Sequence, residues 1–233
     1  MNVLIVFAHP ESRSFNGALK NLAIEVLREC RHEIRVSDLY ASRFEAAGGP
    51  GDFSTLERTD VFRYQREQVK ASGARTFVPQ LMAEIDAVRW ADLLILQFPF
   101  WWFSLPGILK GWVDRVFAMG FAYGYGRIHE SGPLRGKRAM LSLTTGSPAE
   151  SYQVTGVNGD LDRLLFPIQY GILHFIGMEV LPPFIAYGAA RADDELRAEY
   201  LRSYRERLET IETAMPLTFD VAEMASRTPS ERH

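Results

Sequence analysis

The stretch ADLLILQFPFWWFSLPGILKGWVDRVF, residues 91–117, contains a complete change of hydrophobic period. Its first part, 91–100, is a continuous apolar run, as expected of a strand buried on both faces of a parallel sheet. From Pro106 the period becomes helical, with Ile108, Leu109, Trp112, Val113, Val116 and Phe117 on one face. Proline near the first helical position costs little, because an N–H there would have no helical acceptor. Between strand and helix stand Phe98, Phe100, Trp101, Trp102 and Phe103. Strand side chains alternate faces, yet these rings continue past the strand end. Core packing beneath the helix accounts for Phe98. A run of consecutive rings cannot all face inward, so some must line a cavity, an interface or a flat ligand. Large, stiff apolar walls suit a planar heterocycle.

The same alternation extends in both directions. NVLIVFA (2–8) is a buried strand ending in His9-Pro10, and a helical period from Phe15 puts Leu19, Leu22, Ala23, Val26 and Leu27 on one face. HEIRVSDL (32–39) alternates like a strand nearer the sheet edge. Residues 41–75 read as irregular, long enough to be functional or part of an interface. A helix is expected around 78–89, a strand at 138–146, a helix around 160–176, and a last strand at 178–188 bent or broken by Pro182 and Pro183. The final helix spans about 191–214, giving a domain of 1–216 and a polar C-terminal tail, 217–233. Strand and helix alternate throughout. The expected fold is α/β: a flavodoxin-like, doubly wound, five-stranded parallel sheet in the order 2-1-3-4-5, helices on both faces. Such sheets bind ligands at the carboxyl ends of their strands, near the switch point between strands one and three.

Those ends carry chemistry. HPESRSFNGAL (9–19) gathers His9, Ser12, Arg13, Ser14 and Asn16 where a helix begins, a setting that suits phosphate and equally suits plain helix capping. It lacks GxGxxG, which disfavours an ordinary dinucleotide site. TTGSPAESY (144–152) offers hydroxyls and turn N–H groups beside the aromatic wall. FAYGYG (121–126) is a further aromatic patch that covers a cleft or an interface. Phosphate cradle, flat slot and polar edge together describe a flavin site.

Composition narrows the classes. Of 233 residues, 47% are hydrophobic and 24% charged, the balance of a soluble globular domain. A net charge of −3 gives no reason to expect nucleic acid or an anionic membrane as partner. One cysteine, Cys30, excludes an internal disulfide. No apolar run approaches a membrane span, and the N-terminus reads as a strand and not a signal peptide, so the expected location is the cytoplasm. The five histidines show no metal-ligand spacing, so no metal is expected.

The motifs AHPESRSFN, QFPFWWFSLPGILKGWVDRVF, FAYGY, TTGSPAESY and PIQYGILHFIGMEVL, in this order, resemble the NAD(P)H:quinone oxidoreductase (DT-diaphorase) family of flavodoxin-like flavoenzymes. The resemblance implies a homodimer with non-covalent FAD, FMN being the weaker candidate, at two interfacial sites. It implies that His9, Ser14, Phe15, Asn16 and Ala18 lie around the pyrophosphate and ribityl chain, and that Pro99, Phe100, Trp102 and Phe103 form the flavin wall, Trp101 being the variable position. Thr144, Thr145 and Gly146 would face the pyrimidine edge, and Arg197 and Leu201 the adenosine part. Tyr64 and Gln65 would reach the partner's cofactor from the long loop, while Tyr123, Tyr125 and Phe175, with Ile128 and Ser147, would border the substrate pocket. The implied reaction is ping-pong: NADPH or NADH passes hydride to the flavin and leaves, and a quinone or similar flat, electron-poor acceptor takes its place.

Three departures from the family pattern bear on that reaction. Tyr152 matches the family tyrosine at the flavin edge, but the histidine expected six residues on is Asn158, which donates a hydrogen bond and takes up no proton near neutral pH. Slower flavin reduction is expected. Ser147 replaces a second glycine, and the chain stops soon after its last helix, which leaves donor preference open. Two other readings stand beside the reductase: a flavodoxin-like electron carrier, and a regulatory ancillary subunit of a potassium efflux system.

Overall fold

The computed structural model describes residues 1–57 and 60–219. Its parallel sheet runs β2-β1-β3-β4-β5, with β6 also paired to β4. The strands are β1 (Asn2–Phe7), β2 (Glu33–Asp38), β3 (Leu93–Pro99), β4 (Arg138–Thr144), β5 (Glu179–Val180) and β6 (Phe184–Ala186). The expected order is therefore present. Pro182 and Pro183 split the last strand into two short pieces along the same edge of β4, because proline cannot donate to the ladder. β3 is buried along its whole length between β1 and β4.

Among the described residues six α-helices cover the sheet: α1 (Phe15–Glu29), α2 (Tyr64–Ala74), α3 (Pro79–Trp90), α4 (Gly107–Val116), α5 (Leu161–Ile168) and α6 (Asp194–Glu209). Alternate strand residues feed two cores. Val3, Ile5, Leu93, Ile95 and Met140 pack under α1 and α6, whereas Leu4, Val6, Leu94, Leu96 and Leu141 pack under α3, α4 and α5. α5 runs into a π-helical turn, Gln169–His174, which holds His174 and Tyr170 in a stack with Phe166. None of the described helices is long and apolar enough to cross a membrane.

Two boundaries differ from expectation. Within the segment read as irregular, Tyr64–Ala74 is helical. Its docked face carries Glu67 and Gln68 beside Ala71, so no apolar period announces it. Gln68 replaces that signal with hydrogen bonds, Oε1 accepting from Met119 N at 3.1 Å and Nε2 donating to Asp114 O at 3.4 Å. At the other end, residues beyond 216 still pack: Leu217 N donates to Val180 O at 2.7 Å, and Phe219 lies 5.2 Å from the His174 ring. The rest of the expected tail, 220–233, lies outside the described residues.

Candidate cofactor and substrate site

At the carboxyl edge of the sheet, a cavity of about 520 Å³ opens over the switch point between β1 and β3, within the usual size of small-molecule sites. It collects the ends of three strands and two helices. His9, Ser14, Phe15, Asn16 and Ala18 come from the β1–α1 turn, Pro99, Phe100 and Trp101 from the end of β3, Thr144, Thr145 and Gly146 from the end of β4, and Arg197 from α6. Twelve of the seventeen residues expected around the cofactor thus meet in one place. Arg13, Ala189 and Ala190 complete the lining. The two alanines follow β6, and the rule that strand ends bind ligands would have found them.

Each side has a local cause. Ser14 caps α1 by accepting from Gly17 N at 3.2 Å, and the first turn holds no acidic residue, so the positive end of the helix faces the cavity undiminished. Gly17 is required there: a Cβ would lie 1.9 Å from Ser12 O, where the turn folds back on the helix. Arg13 hydrogen-bonds Glu11 at 3.2 Å and holds that carboxyl below its usual range. Opposite, Thr145 Oγ1 donates to Ser147 O at 2.7 Å and accepts from Gly188 N at 3.2 Å, tying the β4 turn to the segment after β6. The space beside Gly146 is open. Together these groups offer an anion cradle, an apolar wall and a hydrogen-bonding edge, a donor set that suits a flavin nucleotide.

The aromatic run divides. Phe100 is buried, its ring 6.4 Å from Phe103, and Trp101 faces His9 at 6.1 Å. Trp102 and Phe103 adopt φ of +51° and +57° at the centre of a tight turn closed by Ser104 N donating to Trp101 O at 3.0 Å. That turn projects Trp102 into solvent, 94% exposed, and neither residue lines the cavity. Leu201 packs on the core beneath α1 and α6.

A second group forms elsewhere on the chain. Tyr64, Gln65 and Tyr125 line a separate hollow with Arg63 and Met119. Gln65 Nε2 donates to the Tyr123 hydroxyl at 3.1 Å, and the Tyr123 ring lies 5.9 Å from Phe175. Half-buried Ile128 precedes His129, whose N–H donates to Phe175 O at 2.8 Å. The two hollows share no lining residue. Tyr152 is buried 6.0 Å from the Tyr187 ring, and Asn158 N donates to Ser151 O at 2.9 Å; neither lines the main cavity.

Behind α2, Tyr64 donates to Asp52, which also accepts from Arg115 at 2.7 Å in a buried ion pair. Burial, and then that carboxylate, push the Tyr64 phenol up.

A ligand cleft at the strand ends of a 2-1-3-4-5 parallel sheet defines the class: a flavodoxin-like α/β protein. The family model described as Flavodoxin-like fold matches residues 1–208. The human protein named ribosyldihydronicotinamide dehydrogenase [quinone] is 45% identical over 216 residues, covering 92% of this chain and 94% of that one. The guinea pig (Cavia porcellus) NAD(P)H dehydrogenase [quinone] 1 is 42% identical over 217 residues, 93% of this chain and 79% of its own. Among solved structures, a Klebsiella pneumoniae chain bearing the provisional name quinone reductase superimposes with a TM-score of 0.90 at 42% identity, covering 94% of this chain and 88% of that one. The chain belongs to the flavodoxin-like fold family and, within it, to the NAD(P)H:quinone oxidoreductases.

Proposed function

We propose that this oxidoreductase holds FAD in the main cavity and passes two electrons from a reduced nicotinamide to a quinone, by a ping-pong mechanism, as a homodimer. When bound, FAD supplies the two-electron chemistry. The chain's own residues bind, orient and shield. Arg13 and the N–H groups at the start of α1 neutralise the pyrophosphate beside His9, and Pro99, Phe100 and Trp101 hold the ring plane from one side. Thr144, Thr145 and Gly146 hydrogen-bond the polar edge, and Arg197 with Leu201 favours the adenosine part, hence FAD over FMN. Tyr152 and Asn158, which do not line the cavity in the single chain, are assigned by the family resemblance alone as donors for negative charge that builds at that edge.

The second hollow supports the dimer. Tyr64, Gln65, Tyr123, Tyr125, Ile128 and Phe175 are grouped away from the cavity of their own chain, as expected of residues that close the site of a partner, opposite its Ser147. The relatives' names differ in donor, ribosyldihydronicotinamide in one and NAD(P)H in the other, and reduced nicotinamide is what they share. One observation carries the reading: a helix N-terminus, an apolar wall and a hydroxyl edge converge in one cavity at the sheet switch point.

The test is steady-state turnover of purified protein with NADH, NADPH or ribosyldihydronicotinamide against a series of quinones. Parallel double-reciprocal lines are expected, as donor and acceptor use the pocket in turn. Intersecting lines, or no flavin in the purified protein, would contradict the proposal.

A further inference from the structure

Asn16 and Thr144 line the main cavity; Gln97, directly behind them, does not. Gln97 stands fully buried in β3, in register with Phe7 of β1 and Ser142 of β4. A buried side-chain amide is costly unless its polar atoms are paired. Its Nε2 donates to Asn16 Oδ1 at 2.9 Å, and Asn16 Nδ2 donates to Thr144 Oγ1 at 2.8 Å. Three buried side chains from β3, α1 and β4 therefore form one directional chain ending at the cavity.

Direction is the consequence. Thr144 already accepts from Asn16, and a hydroxyl has one hydrogen to give. Among the described residues nothing accepts that hydrogen, so it remains for a ligand. At the other end, Gln97 Oε1 is buried without a partner, as are the hydroxyls of Ser142 and Tyr204. Strand alternation puts Gln97 and Ser142 on the face that carries Ile95 and Met140, the layer that also holds Tyr204. With Nε2 given to Asn16, the carbonyl oxygen of Gln97 is the amide atom left without a partner in this layer.

We infer that Gln97 is a positioning residue that fixes Thr144 as a hydrogen-bond donor, facing a ring carbonyl oxygen or ring nitrogen of the bound heterocycle. The inference rests on the functional reading above and adds to it the polarity of one contact. Gln97→Glu reverses the chain. A carboxylate only accepts, so it takes the bond from Asn16 Nδ2, the Asn16 amide turns over, and its Oδ1 captures the Thr144 hydrogen.

The experiment titrates full-length protein, stripped of flavin, with FAD and reads the dissociation constant. Gln97→Glu weakens FAD binding about 10-fold, the order expected for losing one hydrogen bond and leaving an acceptor unpaired. Gln97→Met, similar in shape and unable to donate, weakens it in the same direction. In a Thr144→Val background either substitution adds less than about twofold, because the group through which Gln97 acts is gone. Thr144→Ser, which keeps the hydroxyl, preserves the sensitivity. A purely structural role for Gln97 would give the same loss with and without the Thr144 hydroxyl, and that result overturns the inference. Wild-type protein that fails to bind FAD overturns the functional reading together with it. Wild-type binding with unchanged variants overturns this inference alone. Should Gln97→Glu fail to fold, Gln97→Met with Thr144→Val completes the same cycle.

Discussion

In the proposed reaction, Asn158 stands where the family resemblance leads one to expect a histidine. Its amide can hydrogen-bond but neither takes up nor gives a proton near neutral pH, so under the proposed mechanism negative charge at the flavin edge lacks a proton source. Asn158→His is expected to speed flavin reduction, by up to about 10²-fold if a full transition-state interaction is regained; stopped-flow absorbance checks this, and an unchanged rate contradicts it. Gly17 makes a steric prediction. With Ser12 O 1.9 Å from where a Cβ would sit, Gly17→Ala displaces the β1–α1 turn, lowering both Tm and FAD affinity. At this scale the sequence was legible wherever a polar residue stood at a strand end or in the helix turn that follows it, as His9, Thr144 and Asn16 do. It was not legible at Gln97, which lies inside the apolar run ADLLILQFPF and whose hydrogen-bond partner, Asn16, comes from α1, 81 positions away, brought to it by the fold and not by the local pattern.

The turn from Trp101 to Ser104 shows what an element can hide. Two consecutive aromatic residues at positive φ cost roughly 1–2 kcal/mol each, and strain of this kind gathers at functional sites. Trp102→Gly is therefore expected to stabilise the fold by about 1 kcal/mol in denaturant titration. Aromatic residues gave a clear signal of a wall in the sequence, but nothing in the residue types distinguishes left-handed backbone, so the outward course of Trp102 and Phe103 could be seen only in the structure. α2 escaped notice for a different reason: polar Glu67 and Gln68, not an apolar stripe, form its docked face. Its approach is fixed by the buried Asp52–Arg115 pair, which Tyr64 joins. Asp52→Ala leaves the Arg115 charge buried and unpaired, at an expected cost of 3–5 kcal/mol, on the order typical of broken buried pairs. Lys110→Ala, which breaks an exposed pair with Asp114 on α4, should change stability by less than about 1 kcal/mol.

Across the whole molecule, burial lowers the affinity of His32 and His174 for protons, the N-terminus reinforcing this at His32 and the neighbouring His129 at His174. The unfolded chain then binds more protons than the folded one below the ordinary histidine pKa of about 6.5. Stability should be full above that pH and decline as pH falls beneath it, until the lowered folded-state values are passed; thermal melts from pH 8 to pH 5 check this, and His174→Gln should flatten the decline. The strand order was readable from alternation alone, since right-handed crossovers leave few choices. The separation of Tyr64, Gln65 and Tyr125 from the main cavity was not readable from alternation and was expected only from the family resemblance. The proposed activity requires that the main cavity hold a flavin that a reduced nicotinamide can reach. Anaerobic titration of the purified protein with NADPH, and in parallel with ribosyldihydronicotinamide, tests this most directly. The prediction is that one equivalent of donor per flavin bleaches the visible absorbance, with no long-wavelength band of a one-electron state. A bound flavin that neither donor reduces, or one that passes through a stable one-electron state, would contradict it.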